Sequence, residues 1–536
     1  MNSLVIIISS VVFLGIGYVF YASKIEKFLE IDPNNVTPAH KYFDGVDYVP
    51  ARNWLILFSH HFASIAGAGP IVGPVIAVAI WGFWPAFLWI IFGTIFLGGV
   101  HDFVSIVISI RHKARSIADI AEGAVSGRSK IVFLGFVWLT LVLVIAVFAS
   151  ISARTLTSEP STAVPSFGLI GVAIIVGLML YRFKLNIFIS TMTGIILLIA
   201  CIICGDIFPV DLGSNAYVIW AAVLLLYAFI ASVTPVHILL QPRDYISSFL
   251  LYFGIIVGVA GIAITRPVIN INSFGGWAPE GADWLWPMLF VTIACGANSG
   301  FHALVSSGTT SKQIPNERFA KRIGYGGMAL EAFLAIIALI AVSAGLGSGE
   351  LKEILSKTGT GPIGAFGKGY GALTDTLLFG KGSIIAVMIL NAFVLTTLDT
   401  ATRICRYLSE ELFKIKNRFF STFVVIFTSG ALALSGKWSK IWPMFGASNQ
   451  LVAALTFIVI SGWFLRRGKS VKFTFLPAIL MFVTSIAALL YQLARFLRTK
   501  DFFLSFASIV LIVLSLTMVY DVITTVKKKG LKCEIL

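Results

Sequence analysis

Residues 58–74 read FSHHFASIAGAGPIVGP, and residues 293–310 read IACGANSGFHALVSSGTT. Each begins in an apolar run that should continue as a membrane helix, and each is broken by Gly, Pro and small polar residues. Unpaired backbone is costly in hydrocarbon, so such breaks survive only where protein or a wet cavity satisfies the freed groups. Paired discontinuous helices are where secondary transporters build binding sites. The pattern predicts an all-α polytopic membrane protein with two broken helices.

Composition agrees with a membrane solvent. Of 536 residues, 58% are hydrophobic and only 12% charged, against about 25% charged in soluble domains. Mean hydropathy is +0.93. The net charge of +15 does not indicate nucleic acid, because the basic residues sit in short clusters between apolar runs, as membrane topology requires. Of the cysteines, Cys201, Cys204, Cys295 and Cys405 lie in apolar runs and Cys533 near the end. They lack zinc spacing and read as packing residues.

Apolar runs near the ~20 residues needed to cross hydrocarbon give about fifteen spans: 2–22, 53–80, 84–110, 131–151, 167–181, 185–204, 216–239, 247–265, 285–307, 323–346, 383–408, 419–436, 442–465, 473–494 and 502–525. Most of the 40 basic residues fall in connections after odd-numbered spans, which puts the amino terminus outside and the carboxyl terminus in the cytoplasm. Lys24 and Lys27 follow the first apolar run and no basic residue precedes it, so it reads as a retained span rather than a cleaved signal. The broken spans are the second and the ninth, so they cross in opposite directions, the parity of an inverted repeat. That parity places His60, His61 and His302 on the cytoplasmic side of their breaks, with His101 and His237 in the same half and His40 and His112 in cytoplasmic connections. Asp102, Glu331 and Asp399 follow the same bias. Intramembrane charges are usually paired or wet, so the cytoplasmic half is expected to be hydrated in at least one state.

Seven stretches carry a closer resemblance: 44–50 DGVDYVP, 60–74 HHFASIAGAGPIVGP, 242–245 PRDY, 294–310 ACGANSGFHALVSSGTT, 324–328 GYGGM, 396–403 TTLDTATR and 442–450 WPMFGASNQ. In this order, over almost the whole chain, they resemble the carbon starvation protein A family of bacterial membrane transporters. The resemblance implies ion-coupled uptake of pyruvate or peptides across the inner membrane. It also implies a LeuT-like five-plus-five inverted-repeat core of the amino acid/polyamine/organocation superfamily, with the two broken spans as its first and sixth core helices. The chain is then one transporter domain over 1–536: an extra first span and connection (1–52), a first-repeat region (53–204), a second-repeat region (285–465) and peripheral spans (473–525). Where relatives usually have Gln beside the span-three Asp, this chain has His101.

The breaks should present backbone donors and half-helix ends, which favour a carboxylate at the positive terminus and a cation at the carbonyl terminus. Gly67, Ala68, Gly69, Gly296, Asn298, Ser299, Ser306 and Ser307 are the substrate-site candidates. The plainer reading is close helix packing through small residues. His60, His61, His302 and Asp102 are candidates for proton coupling, with Glu331 a further coupling carboxylate. The alternatives for the histidines are helix-bridging hydrogen bonds and a metal, the last disfavoured because residues i and i+1 point about 100° apart. Thr396, Thr397 and Asp399 offer oxygen ligands for sodium, the alternative being an intrahelical Asp399/Arg403 pair. Arg243, Asp244 and Arg403 read as an inner gate, and residues 345–382 as a Gly-rich flexible external loop. No cofactor is expected; the coupling ion is a proton, or alternatively sodium. The reading is proton-coupled uptake of a small carboxylate such as pyruvate, with a short peptide as the alternative substrate. An intramembrane metal-binding enzyme is the rival class, and it lacks a His-Glu-x-x-His spacing; a sensor, the other rival, would normally add a soluble output domain.

Overall fold

The computed structural model describes residues 2–124, 126–236, 238–356, 361–436 and 438–528. His237 and Cys533 therefore lie outside the described residues. Apolar composition along nearly every segment leaves helices as the way to satisfy the backbone without water. In chain order the principal helices are α1 (Ser3–Leu29), α2 (Trp54–Ile65), α3 (Gly69–Trp81), α4 (Phe83–Arg111), α5 (Gly127–Ser158), α6 (Pro160–Arg182), α7 (Ile187–Ile207), α8 (Gly213–Val233), α9 (Leu240–Thr265) and α10 (Leu285–Thr292). They continue as α11 (Gly300–Val305), α12 (Glu317–Gly345), α13 (Ser348–Leu355), α14 (Gly361–Leu378), α15 (Gly382–Leu412), α16 (Arg418–Leu434), α17 (Trp438–Arg466), α18 (Lys472–Arg498) and α19 (Phe502–Lys528). After α11 the chain winds on through a π turn, Ser306–Thr310, to Gln313.

Among the described residues twelve helices are long and apolar enough to cross a membrane, and the bent pair α2/α3 makes a thirteenth. The two remaining expected spans, 285–307 and 419–436, correspond to the discontinuous segment α10/α11 and to α16, a shorter apolar helix.

Contacts between helix ends show how the two broken segments run. At one end Arg111 of α4 pairs with Glu317 at the start of α12 at 2.8 Å, and Lys469 beyond α17 with Glu30 beyond α1 at 2.9 Å. At the other, the Trp81 indole at the end of α3 donates to Asp283 O just before α10, at 3.0 Å. The backbone of Ala51, before α2, donates to Gln313 O, after α11, at 2.9 Å. The two broken segments are thus antiparallel. Below, the end carrying Arg111 and Gln313 is the basic end.

Two expectations change. Residues 345–382 are not a loop: α13 and α14 lie there. A Cβ on Gly369 would sit 2.5 Å from Ala341 O, and one on Gly345 2.4 Å from Gly369 O; the glycines bring α14 hard against α12, a packing device of membrane helices. The Arg243/Asp244 pair is not in a connection either. Helix α8 ends at Val233 and α9 begins at Leu240, so both residues lie within the first two turns of α9 and are buried.

Candidate functional site

The first break spans residues 66–68. Ala66 leaves helical geometry (ψ 46°), and α3 restarts at Gly69-Pro70 with a 41° change of direction. Pro suits this first turn because its missing N–H has no intrahelical partner there. The small residues are required by contact: a Cβ on Gly67 would lie 2.7 Å from Thr397 Oγ1, one on Gly69 2.4 Å from Cys295 Cβ, and one on Gly73 2.6 Å from Thr292 O. The two breaks therefore touch one another and α15.

The freed backbone is satisfied from neighbouring helices. Ser64 O accepts from Thr397 Oγ1 (3.1 Å), Ile293 O from the Trp89 indole (3.1 Å), Gly296 O from Thr94 Oγ1 (3.4 Å) and Phe290 O from Gln450 Nε2 (2.5 Å). Ala68 O accepts from the amides of Ile71 and Val72. At the start of α11 the Phe301 amide donates to Asn449 Oδ1 at 2.7 Å, while Asn449 Nδ2 donates to Ser299 Oγ at 2.9 Å. Asn449, from α17, thus caps a half-helix whose own Ser299 does not. Sequence reasoning reached Asn449 and Gln450 only as part of a resembling stretch; their role needed the fold.

Ser307 Oγ is also engaged, donating to Ala303 O at 2.8 Å. Asn298 and Ser306 differ: both are buried, and neither Asn298 amide atom nor Ser306 Oγ has a hydrogen-bond partner. The helix that follows the second break also enters a buried ionisable cluster built by α2, α4, α11 and α12. Asp102 takes His302 Nδ1 at 2.9 Å and His101 Nδ1 at 3.1 Å. His302 Nε2 lies 3.3 Å from Glu331 Oε2, and neither Glu331 oxygen has a hydrogen bond. His61 Nδ1 meets Thr310 Oγ1 at 2.8 Å, and its Nε2 is unpartnered.

His60, turned away from His61, joins a second network. Its Nδ1 is 2.6 Å from Asp244 Oδ2. Asp244 Oδ1 accepts from Arg243 Nε (3.1 Å) and Nη2 (2.5 Å). Arg243 also forks onto Asp399, with Nη2 to Oδ1 at 3.1 Å and Nη1 on Oδ2, and Tyr227 OH donates to Asp399 Oδ2 at 2.8 Å. Asp399 thus pairs across helices with Arg243, and not with Arg403 on its own helix. A carboxylate four residues away is a neighbour on the helix surface, but a bidentate guanidinium from α9 is the stronger partner. Thr396 Oγ1 is turned to Ala392 O at 3.0 Å, whereas Thr397 and Thr400 face Ser64.

Arg403 lies nearer the basic end. It donates to Ala231 O at 2.7 Å and lies 3.3 Å from Asp47 Oδ1, which also takes the Tyr407 hydroxyl. Residues 44–50 form a strap held in shape by Asp44 Oδ1, which accepts from the amides of Val46, Asp47 and Tyr48 at 2.8–2.9 Å. Lys312 Nζ stands 4.4 Å over the Tyr407 ring and 5.4 Å over Tyr48. Beneath the strap lies a cavity of about 150 Å³ lined by Tyr48, Ser307, Gly308 and Tyr407. Burial raises the Asp47 carboxyl, but Lys312, Arg403 and the Tyr407 hydroxyl outweigh it and hold the group below its usual range. Together these contacts give two dry, paired networks around touching helix breaks, able to hold protons and to lock several helices at one end.

The comparisons with known proteins agree in kind. The fold is similar to that of a manganese transporter from Eremococcus coleocola, with a TM-score of 0.55 and 14% identity, covering 90% of this chain and 98% of that one. The peptide transporter CstA of Campylobacter jejuni is 31% identical, covering 90% of this chain and 79% of that protein. The peptide transporter CstA of Escherichia coli is 32% identical over 85% and 76%, and the pyruvate/proton symporter BtsT of the same species 29% over 91% and 81%. Residues 2–355 and 347–488 match the family described as carbon starvation protein CstA. The chain belongs to the carbon starvation protein CstA family, and it is a membrane transporter, not an enzyme.

Proposed function

We propose that this protein carries a small carboxylate, pyruvate, into a bacterial cell across the inner membrane together with a proton. The observation that carries the reading is the buried cluster Asp102–His302–Glu331, whose His302 lies in the second broken segment four residues from each of the unpartnered Asn298 and Ser306. A buried carboxylate without hydrogen bonds is costly unless it holds a proton or shares one with a neighbour. Glu331 and His302 are placed to share that proton, with Asp102 fixing the imidazole. His61, with a free Nε2, is the next acceptor. Asn298 and Ser306, together with the small backbone stretches Gly67–Gly69 and Gly296, form the substrate pocket; Ser299 and Ser307 shape it with their hydroxyls already committed.

The mechanism is alternating access. The breaks belong to a LeuT-like inverted repeat over 53–204 and 285–465, with 1–52 and 473–525 peripheral. The basic end faces the cytoplasm, with the amino terminus outside. In the present conformation Arg243, Asp244, Asp399 and Arg403 keep that end shut. Opening it separates α9 and α15, hydrates the paired charges and releases proton and substrate. Sodium is the alternative coupling ion, at Ser64 O, Thr397 and Thr400; Asp399 is occupied by Arg243. A short peptide is the second substrate reading, favoured by the names of the relatives from C. jejuni and E. coli.

The test is uptake of labelled pyruvate into proteoliposomes under an imposed proton gradient, with and without sodium, and with dipeptides as competitors. Gradient-driven pyruvate accumulation without sodium is expected. Dipeptide flux with no pyruvate flux would replace the substrate, and accumulation only with sodium would replace the ion.

A further inference from the structure

At the end opposite the strap the bundle opens into a cavity of about 1040 Å³, walled by Ile76 and Ile80 of α3, Ile151 and Arg154 of α5, and Tyr217 of α8, with Glu159 on its rim. At ~30 Å³ per water this space takes on the order of thirty waters, so it receives a hydrated solute. Its floor is near the first break. Ile76 stands seven residues past Gly69, two helical turns or about 10 Å along α3. Phe148, one turn below Ile151 on α5, sets its ring edge 3.1 Å from where a Cβ on Gly67 would be, and packs edge-on against Phe445 at 5.8 Å. A layer of buried aromatic side chains thus parts the cavity from the break.

Arg154 is the feature the transport site does not use. Its guanidinium stands 5.6 Å over the Tyr217 ring, exposed to the cavity. Among the described residues of the wall Lys352 is a second cation and Glu159 the carboxylate, so those residues together carry net positive charge. A concave wall of low dielectric focuses such a field and concentrates anions, and a stacked guanidinium presents a planar fork that matches a carboxylate.

We propose that this vestibule is a second, outer docking site for the carboxylate of the transported anion, with Arg154 its principal contact and Phe148 the barrier to the inner pocket. The proposal rests on the pyruvate reading, and its test separates the two. Equilibrium binding of labelled pyruvate to purified protein is compared in the wild type and in Arg154→Gln, Arg154→Lys, Phe148→Trp and Phe148→Trp/Arg154→Gln variants, with proteoliposome uptake alongside. Two pyruvates per wild-type chain and one in Arg154→Gln are expected, with half-saturation of uptake raised about tenfold and largely restored in Arg154→Lys. Phe148→Trp should block uptake yet keep one bound pyruvate, and the double variant should lose it. Unchanged stoichiometry and half-saturation in Arg154→Gln, or no binding in Phe148→Trp, would overturn the proposal. Wild-type binding that depends on Arg154 without any pyruvate flux would instead overturn the transport reading and leave the vestibule site standing.

Discussion

Replacing Arg243 by Met tests whether the inner network holds α9 to α15. Arg243 is 2% exposed, and Asp244 and Asp399 are fully buried. The substitution removes the guanidinium contacts to both carboxylates at once. Leaving a buried ion without its partner costs about 3–5 kcal/mol. Here Asp244 keeps His60, and Asp399 keeps Tyr227 and the Thr400 amide at 3.1 Å, so the expected loss is near the lower figure, about 3 kcal/mol. Asp399→Asn costs less, about 1.5–2 kcal/mol, because Arg243 still has Asp244. Arg243→Met/Asp399→Asn removes charge from both sides and should fall by less than the sum of the two singles, a coupling of at least about 1 kcal/mol. A membrane protein of this size unfolds irreversibly, so the readout is the rank of melting temperatures in detergent at one heating rate. Labelling of a Ser307→Cys thiol in the small inner cavity should rise in parallel, as the basic end opens. Wild-type melting in Arg243→Met, or a double variant that falls by the sum of the singles, would refute the network as a closure.

Glu331→Gln should abolish proton-driven accumulation while exchange of labelled for unlabelled pyruvate persists; equal loss of both would make Glu331 structural. Asn449→Ala leaves the Phe301 amide and Ser299 unpaired in the interior, a cost of about 1–3 kcal/mol, so its melting temperature should fall while Asn449→Asp, which retains the acceptor, falls less. The Asp47 carboxyl is depressed, so its stabilisation of the strap is fully present above the ordinary carboxylate range and is lost as pH falls through the depressed value. Asp47→Asn should therefore raise Ser307→Cys labelling at neutral pH, and labelling in the wild type should rise only on acidification. A membrane potential imposed at constant proton gradient should leave pyruvate accumulation unchanged, and a shift of about 50-fold per 100 mV would mean that a net charge moves with it.

The breaks were legible because Gly and Pro in apolar runs have few other uses, and their antiparallel sense followed from the count of spans between them. The partner of Asp399 was not. Local spacing points to Arg403, four residues on, whereas Arg243 lies 156 residues away and only tertiary packing brings it there. The region 345–382 misled for a related reason: glycine density in water signals a loop, but between membrane helices it signals close approach. Asn449 was hidden because its work is done on another helix. Asn298 was named together with Ser299, Ser306 and Ser307 as a source of polar contacts; the structure finds Ser299 and Ser307 engaged, and Asn298 and Ser306 without partners.

The indifference to voltage expected for pyruvate comes from the charges in the closed core. His60, Asp244, Arg243 and Asp399 bring two carboxylates together with a guanidinium and an imidazole, so opposite charges offset one another within that network. The second cluster, Asp102, His302 and Glu331, has two carboxylates and one imidazole, and a single extra proton removes one negative charge from it. On the proposed reading, a pyruvate anion entering at Asn298 would add one negative charge to the buried core, and one co-transported proton would cancel it. Crossing the occluded state then moves no net charge through the low-dielectric core, where an unpaired one is most expensive. A zwitterionic peptide arriving with one proton would carry a net positive charge across and would feel about 2.3 kcal/mol per 100 mV. The response to voltage therefore discriminates between the two substrates through the electrostatics of the buried cluster.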